Sequence, residues 1–151
     1  MRLNTQLESV GAEFLVLGSL LIEGISAFKT YQNFKGYDIV AVNPENNTSA
    51  KIQVKSRYQT GWNGFLIKDF NSDFVVLVAL NRGYPKPKKN GDTGIKAPIF
   101  YIFPTDYIKS IDPTKGGWGK IPKAKLIDLE SYINRWDYIR DFLDNSNHLK
   151  S

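Results

Sequence analysis

Apolar residues recur at helical spacing at Leu7, Val10, Phe14, Leu17 and Leu21, which predicts an N-terminal helix with that stripe in the core. Thr5-Gln6-Leu7-Glu8 fits a capping box at its start and Gly24 a stop at its end. Ile25 to Tyr31 is short and partly alternating, as a first strand would be. From Gly36 to Asn43 runs an apolar stretch broken only by Asp38. The turn cluster Pro44-Glu45-Asn46-Asn47 and a second strand from Thr48 to Ser56 follow, together a β-hairpin. Phe65 to Lys68 reads as a short strand. Asp73 to Leu80 is wholly apolar after its Asp, the pattern of a central strand buried on both faces. Pro98 to Phe103 resumes as a strand, and Thr105 can cap a short helix after it. Leu129, Tyr132, Trp136, Ile139 and Leu143 put a last helix from Asp128 to about Asp144, packed on the sheet or on another subunit. This order predicts an α/β domain, a mixed central β-sheet flanked by helices.

The chain's 151 residues suit one domain spanning 1–151, with basic loop insertions at about 82–97 and 112–125. Those loops carry most of the charge. Between Arg82 and Lys125 lie ten of the twenty basic residues and three acids, giving +7, while the remainder carries −2 of the total +5. A basic segment on a near-neutral body is the footprint of a polyanion binder, or of a solvated lysine-rich loop. On the first reading Arg82, Lys86, Lys88, Lys89, Lys96, Lys115, Lys120 and Lys123 are the phosphate contacts, joined by Arg57 and Tyr58 beside the hairpin. Tyr58 and Trp62 face two readings, DNA contact or rim packing. Gly116-Gly117-Trp118-Gly119 is glycine-rich but lacks a following Gly-Lys-Ser/Thr, so no nucleotide cofactor is expected. The single histidine, His148, lies in a C-terminal tail, which argues against histidine catalysis. With no cysteine, no uninterrupted apolar run of membrane-spanning length and no signal-peptide layout, the expectation is a cytoplasmic protein without a membrane partner.

The hairpin carries the candidate chemistry. If it is symmetric about Glu45 and Asn46, residues whose numbers sum to 91 face one another, and Asp38 lies opposite Gln53. Lys55, two residues on, points the same way. A carboxylate, an amide and an ammonium then converge at one end of a two-stranded ribbon. Such groups among apolar neighbours need partners or a task, so they are either a structural Asp–Lys pair or a site. Glu13, at the edge of the helical stripe, either reaches solvent or faces the same cation.

Gly36-Tyr37-Asp38 followed after a short hairpin by Ile52-Gln53-Val54-Lys55, with Glu13 on the preceding helix, resembles the PD-(D/E)XK nuclease superfamily. The resemblance covers roughly the first half of the chain, through the apolar strand near Val75. Two positions depart from the family pattern: Tyr37 replaces the Pro, and Gln53 replaces the second acid. Within the superfamily, the small size and the Gln-x-Lys motif are similar to the bacterial group I intron homing endonucleases.

The resemblance implies a restriction-endonuclease-like core and hydrolysis of phosphodiester bonds in double-stranded DNA at a specific site. It implies Asp38, Glu13 and Gln53 as Mg²⁺ ligands, Gln53 through its carbonyl oxygen, with Mn²⁺ expected to substitute. It implies Lys55 as the residue that activates the attacking water. Cutting both strands takes two sites, so a homodimer or homotetramer is expected. A type II restriction enzyme and a junction resolvase share these motifs. The loss of one acid leaves a rival outside catalysis, a non-cleaving DNA-binding module on a nuclease fold.

Overall fold

The computed structural model describes residues 4–30, 36–111 and 119–145. Lys115, the glycines at 116 and 117 and His148 lie outside them. Helix α1 (Thr5–Ile22) leads into strand β1 (Ser26–Lys29), then the hairpin β2 (Ile39–Asn43) and β3 (Thr48–Arg57). Short strand β4 (Gly64–Leu66), β5 (Phe74–Ala79) and β6 (Ile99–Pro104) follow. Helix α2 (Thr105–Ile111), strand β7 (Lys120–Pro122), two 3₁₀ turns (Lys123–Lys125 and Leu129–Tyr132) and helix α3 (Trp136–Asn145) complete the order.

The main sheet runs β1-β2-β3-β5-β6, and β4 pairs with β7 in a second sheet. Only β3 and β5 are parallel; the other pairs are antiparallel, so the sheet is mixed as expected. The hairpin register matches the sequence expectation, with Ile39 opposite Ile52 and Asn43 opposite Thr48. Every residue of β5 is buried, because both of its faces are covered. On one face α1 and α3 pack over Ile39, Ala41, Ala50, Ile52, Val76, Val78 and Ile102. On the other, Val75, Leu77, Tyr101 and Phe103 meet α2, the β4–β7 pair and Leu126.

Three expectations need correction. First, α1 presents the opposite face to the core. Glu8, Ala12, Val16 and Leu20 are buried, whereas Leu7, Val10, Phe14 and Leu21 are exposed and only Leu17 packs partly. Its cap is Asn4, whose side chain accepts from the Gln6 N–H at 2.8 Å. α1 is also long and apolar enough by composition to cross a membrane, which the reading of uninterrupted runs missed; Ala12, Val16 and Leu20 seat it in the domain core. Second, the C-terminal helix starts at Trp136. Leu129–Tyr132 is a separate 3₁₀ turn, and Ile133 bridges to Tyr101 of β6 before the chain enters α3. Third, Trp62 is a core residue, edge-on to Tyr101 at 5.8 Å, and Tyr58 is partly buried against the main core.

Candidate active-site cleft

β3 has ten residues and β2 five, and their pairing stops at Ile39–Ile52. From Gln53 onward β3 keeps β5 on one side and loses its hairpin partner on the other. Side chains fill the vacated edge. The Val54 N–H, which a longer β2 would have bonded, donates to Asp38 Oδ2 at 2.8 Å. Ser56 Oγ donates to Glu8 Oε2 at 2.8 Å, which explains a buried Glu on the inner face of α1. A cleft of about 590 Å³ opens here, lined by Glu8, Glu13, Asp38, Gln53, Lys55 and Asp69 among others.

Gln53 is fixed through its amide nitrogen. Nε2 donates to the Gly36 carbonyl at 3.1 Å and to the Asp69 carbonyl at 2.8 Å, using both of its hydrogens and leaving the carbonyl oxygen to other partners. Gly36 must be glycine for this: its φ is +91°, and a Cβ would lie 2.6 Å from Asp69 Oδ1. Asp69 in turn accepts the Asn71 N–H at 2.9 Å. Two main-chain carbonyls therefore specify an amide at this position.

Glu13 pairs with Lys29 of β1 at 3.2 Å. Burial pushes the Glu13 carboxyl above the usual range, and the nearby Asp38 charge adds to this, while Lys29 opposes it. Burial likewise raises Asp38, against the Val54 hydrogen bond and the charges of Lys55 and Lys29. Lys55 is shifted down by burial, with the Asp38 charge working the other way. Glu8, Glu13, Asp38 and Asp69 thus share one cleft with the ammonium groups of Lys55 and Lys68, and Lys29 pairs with Glu13. Glu13 and Asp38 remain costly to ionise there, the condition that a bound cation relieves.

Asp38, Gln53, Lys55 and Glu13 all line this cleft, as the sequence reading grouped them. Sequence reasoning missed Glu8, Lys29 and Asp69. The polar breaks at Glu8 in an apolar helix and Lys29 in an apolar strand were available signals; Asp69 acts through its backbone, which no side-chain pattern discloses. As a donor set, Asp38, Glu13 and the Gln53 oxygen suit a hard divalent cation, since all are oxygen ligands. Among the described residues no group of three or more acids, histidines or cysteines is placed to hold a metal ion.

The proposed DNA contacts divide. Arg57 is exposed where β3 ends, and Arg82, Lys86, Lys88, Lys89 and Lys96 are exposed on the loop between β5 and β6. That loop leaves the sheet at the end where Arg57 pairs with Ala79, and the cleft lies further back along β3, from Gln53 to Ser56. It is ordered by Thr60, whose Oγ1 donates to the Gly94 carbonyl at 2.6 Å and accepts the Gly83 N–H at 3.1 Å. A bridge from Arg82 to Ile95 closes it. Lys88 lies 5.0 Å from the centroid of the Tyr84 ring. Lys120 is exposed on β7, and Lys123 lies 4.7 Å from the centroid of the Trp62 ring. Ion pairs between described residues involve Lys29, Arg135 and Arg140.

No protein-family model matches the chain, and no curated protein does. Among solved structures it is similar to a bacterial homing endonuclease, I-Ssp6803I, with a TM-score of 0.62 at 18% identity over 98% of this chain and 100% of the other. At that identity the likeness is one of fold, extending beyond the first half of the chain in which the motifs lie.

Proposed function

We propose that this chain is a metal-dependent DNA endonuclease of the PD-(D/E)XK type, cutting double-stranded DNA at a specific site, as a homing endonuclease does. The observation that carries the reading is the convergence of Asp38, Glu13, Gln53 and Lys55 on one cleft along the stretch of β3 that β2 leaves unpaired. The shared fold with a bacterial homing endonuclease supports it.

In this mechanism Asp38 and Glu13 would hold Mg²⁺ with their carboxylates and Gln53 with its carbonyl oxygen, and Mn²⁺ would substitute. When bound, the ion polarises the phosphoryl oxygens and lowers the pKa of an attacking water. Gly36 and Asp69 orient Gln53 before substrate arrives, so its oxygen needs no reorganisation. Lys55 aligns the water and offsets negative charge that develops on the phosphate. Lys29 pairs with Glu13 and offsets its charge. The exposed cations of the β5–β6 loop neutralise phosphates and draw DNA toward the cleft. Two strands require two clefts, which a homodimer or homotetramer supplies.

The test is cleavage of a sequence-diverse DNA pool in Mg²⁺, with the ends sequenced, for wild type, Asp38→Ala and Lys55→Ala after a folding check. Recurrent ends from wild type alone support the reading, and their number and spacing separate a long homing target from a short restriction site. Ends that follow branch points and ignore sequence would mean a junction resolvase. Tight low-salt binding without ends would mean a non-cleaving module, and neither binding nor cutting would sink the nucleic-acid reading.

A further inference from the structure

We propose that the outward face of α1 is a subunit interface and that its occupant is a second copy of this chain. Leu7 is 65% exposed, Phe14 57%, Leu21 52% and Ile22 85%, with Val10 and Leu15 exposed between them. The helix has no Lys or Arg, and its two acids, Glu8 and Glu13, both line the cleft. The solvent side of five turns of helix is therefore uncharged. Leu7, Gly11, Phe14, Gly18 and Leu21 follow one another by four, three, four and three residues, the spacing of a helix–helix seam. At both glycines a Cβ would meet nothing within 4 Å, so the backbone is open to close approach. The exposed apolar side chains offer on the order of 600 Å², near the roughly 800 Å² that each partner gives a standard interface. A contiguous apolar area of this size on a folded domain marks a contact surface.

Lipid fits the face poorly. Interfacial helices carry Lys and Arg along a polar flank, whereas this helix has neither, and Lys29 of β1, which lies over the Phe14 ring, is paired with Glu13. The choice of a second copy over an unrelated protein rests on the endonuclease reading, because two-strand cutting needs a paired cleft. α1 carries Glu13 on its flank, so pairing through α1 would set the two clefts beside the shared interface.

The measurement is sedimentation equilibrium at tens of micromolar protein, without DNA or metal. Wild type is compared with Leu21→Lys/Ile22→Lys and with Leu7→Glu, each placing a charge where the helix dipole favours it. Phe14 is left intact because its ring carries Lys29, the partner of Glu13. Ile127→Lys, at an exposed apolar residue elsewhere, is the control. The expected result is an associated wild type and control, and variants with wild-type circular dichroism whose dissociation constant rises at least 100-fold. Should one variant fail to fold, the other decides. A monomeric wild type, variants that associate as wild type does, or a monomer that floats with anionic vesicles would overturn the proposal. Association is read without substrate, so its failure leaves the endonuclease reading standing, and a failed cleavage screen leaves the association result intact.

Discussion

Placing an acid at Gln53 is expected to damage the protein. Gln53 is 6% exposed, and its Nε2 donates to two carbonyls, Gly36 O at 3.1 Å and Asp69 O at 2.8 Å. In Gln53→Glu an acceptor oxygen faces both carbonyls. Two hydrogen bonds of about 1 kcal/mol net each disappear, and leaving the two carbonyls beside a buried anion adds about 1–2 kcal/mol more. The expected loss is about 3–4 kcal/mol at neutral pH, or roughly 6–16 °C at about 2–4 °C per kcal/mol for a domain of this size.

The charge dependence gives the signature. The new carboxyl is favoured in its protonated form, which donates to one of the two carbonyls, so its folded pKa lies above its unfolded value. Its stability contribution is present below the unfolded pKa and is lost as pH rises through the folded one. Thermal unfolding of Gln53→Glu and Gln53→Met, followed by circular dichroism at mildly acidic and neutral pH without metal, reads this directly. Gln53→Met loses the same hydrogen bonds without adding charge. It should lose about 2 kcal/mol, with no pH dependence beyond that of wild type. A Gln53→Glu protein as stable as wild type at neutral pH would refute the claim that the two carbonyls select the amide.

Three further outcomes are expected. Lys55→Met should lower cleavage by roughly 100-fold or more. Its thermal midpoint should stay within about 4 °C of wild type, because the side chain removed is a desolvated charge; a folding collapse instead would mark a structural ion pair. Glu13 and Asp38 have folded pKa values raised above their unfolded ones, so each binds protons more readily when folded. Metal-free stability should therefore fall as pH rises from the unfolded carboxylate range through the raised folded values, and Asp38→Asn should flatten that fall in calorimetry. Replacing Lys86, Lys88 and Lys89 together by Ala should reduce the slope of log affinity against log salt by up to about 2.7, at about 0.9 per phosphate contact. An unchanged slope in fluorescence anisotropy titrations would remove this loop from the DNA interface.

What the sequence disclosed, and what it concealed, follows from where the information sits. The hairpin register was legible because Pro44-Glu45-Asn46-Asn47 fixes the turn and a one-residue slip would turn Ile39 and Ile52 out of the core. β5 was legible because its uninterrupted apolar run has one reading in a mixed sheet. The buried face of α1 was not. The helix is apolar nearly all round, so Leu7, Val10, Phe14 and Leu21 look as suitable for a core as Ala12, Val16 and Leu20 do. The choice fell to features that hydrophobicity does not score: small Ala12 against the sheet, and Glu8 bonded to Ser56. The end of the last helix was legible and its start was not, because Leu129 and Tyr132 keep the helical period while belonging to a separate turn.

The unequal lengths of β2 and β3 link fold and site. Had β2 reached as far as β3, the Val54 N–H would bond a carbonyl and Asp38 would have no reason to turn inward. Because β2 begins at Ile39, that N–H goes to a carboxylate instead, and the Gln53 amide goes to the carbonyls of Gly36 and Asp69. The unpaired stretch of β3 thus recruits side chains as hydrogen-bond partners and buries an acid in doing so. An acid held half-buried, its carboxyl raised, beside a lysine shifted down is unfavourable for the fold alone. It is favourable where a cation and a phosphate complete the set. The ten-residue length of β3 both opens the notch and carries the strand on to the exposed Arg57. Strand length, which costs the sequence nothing unusual in composition, is the feature that turns this sheet edge into a site.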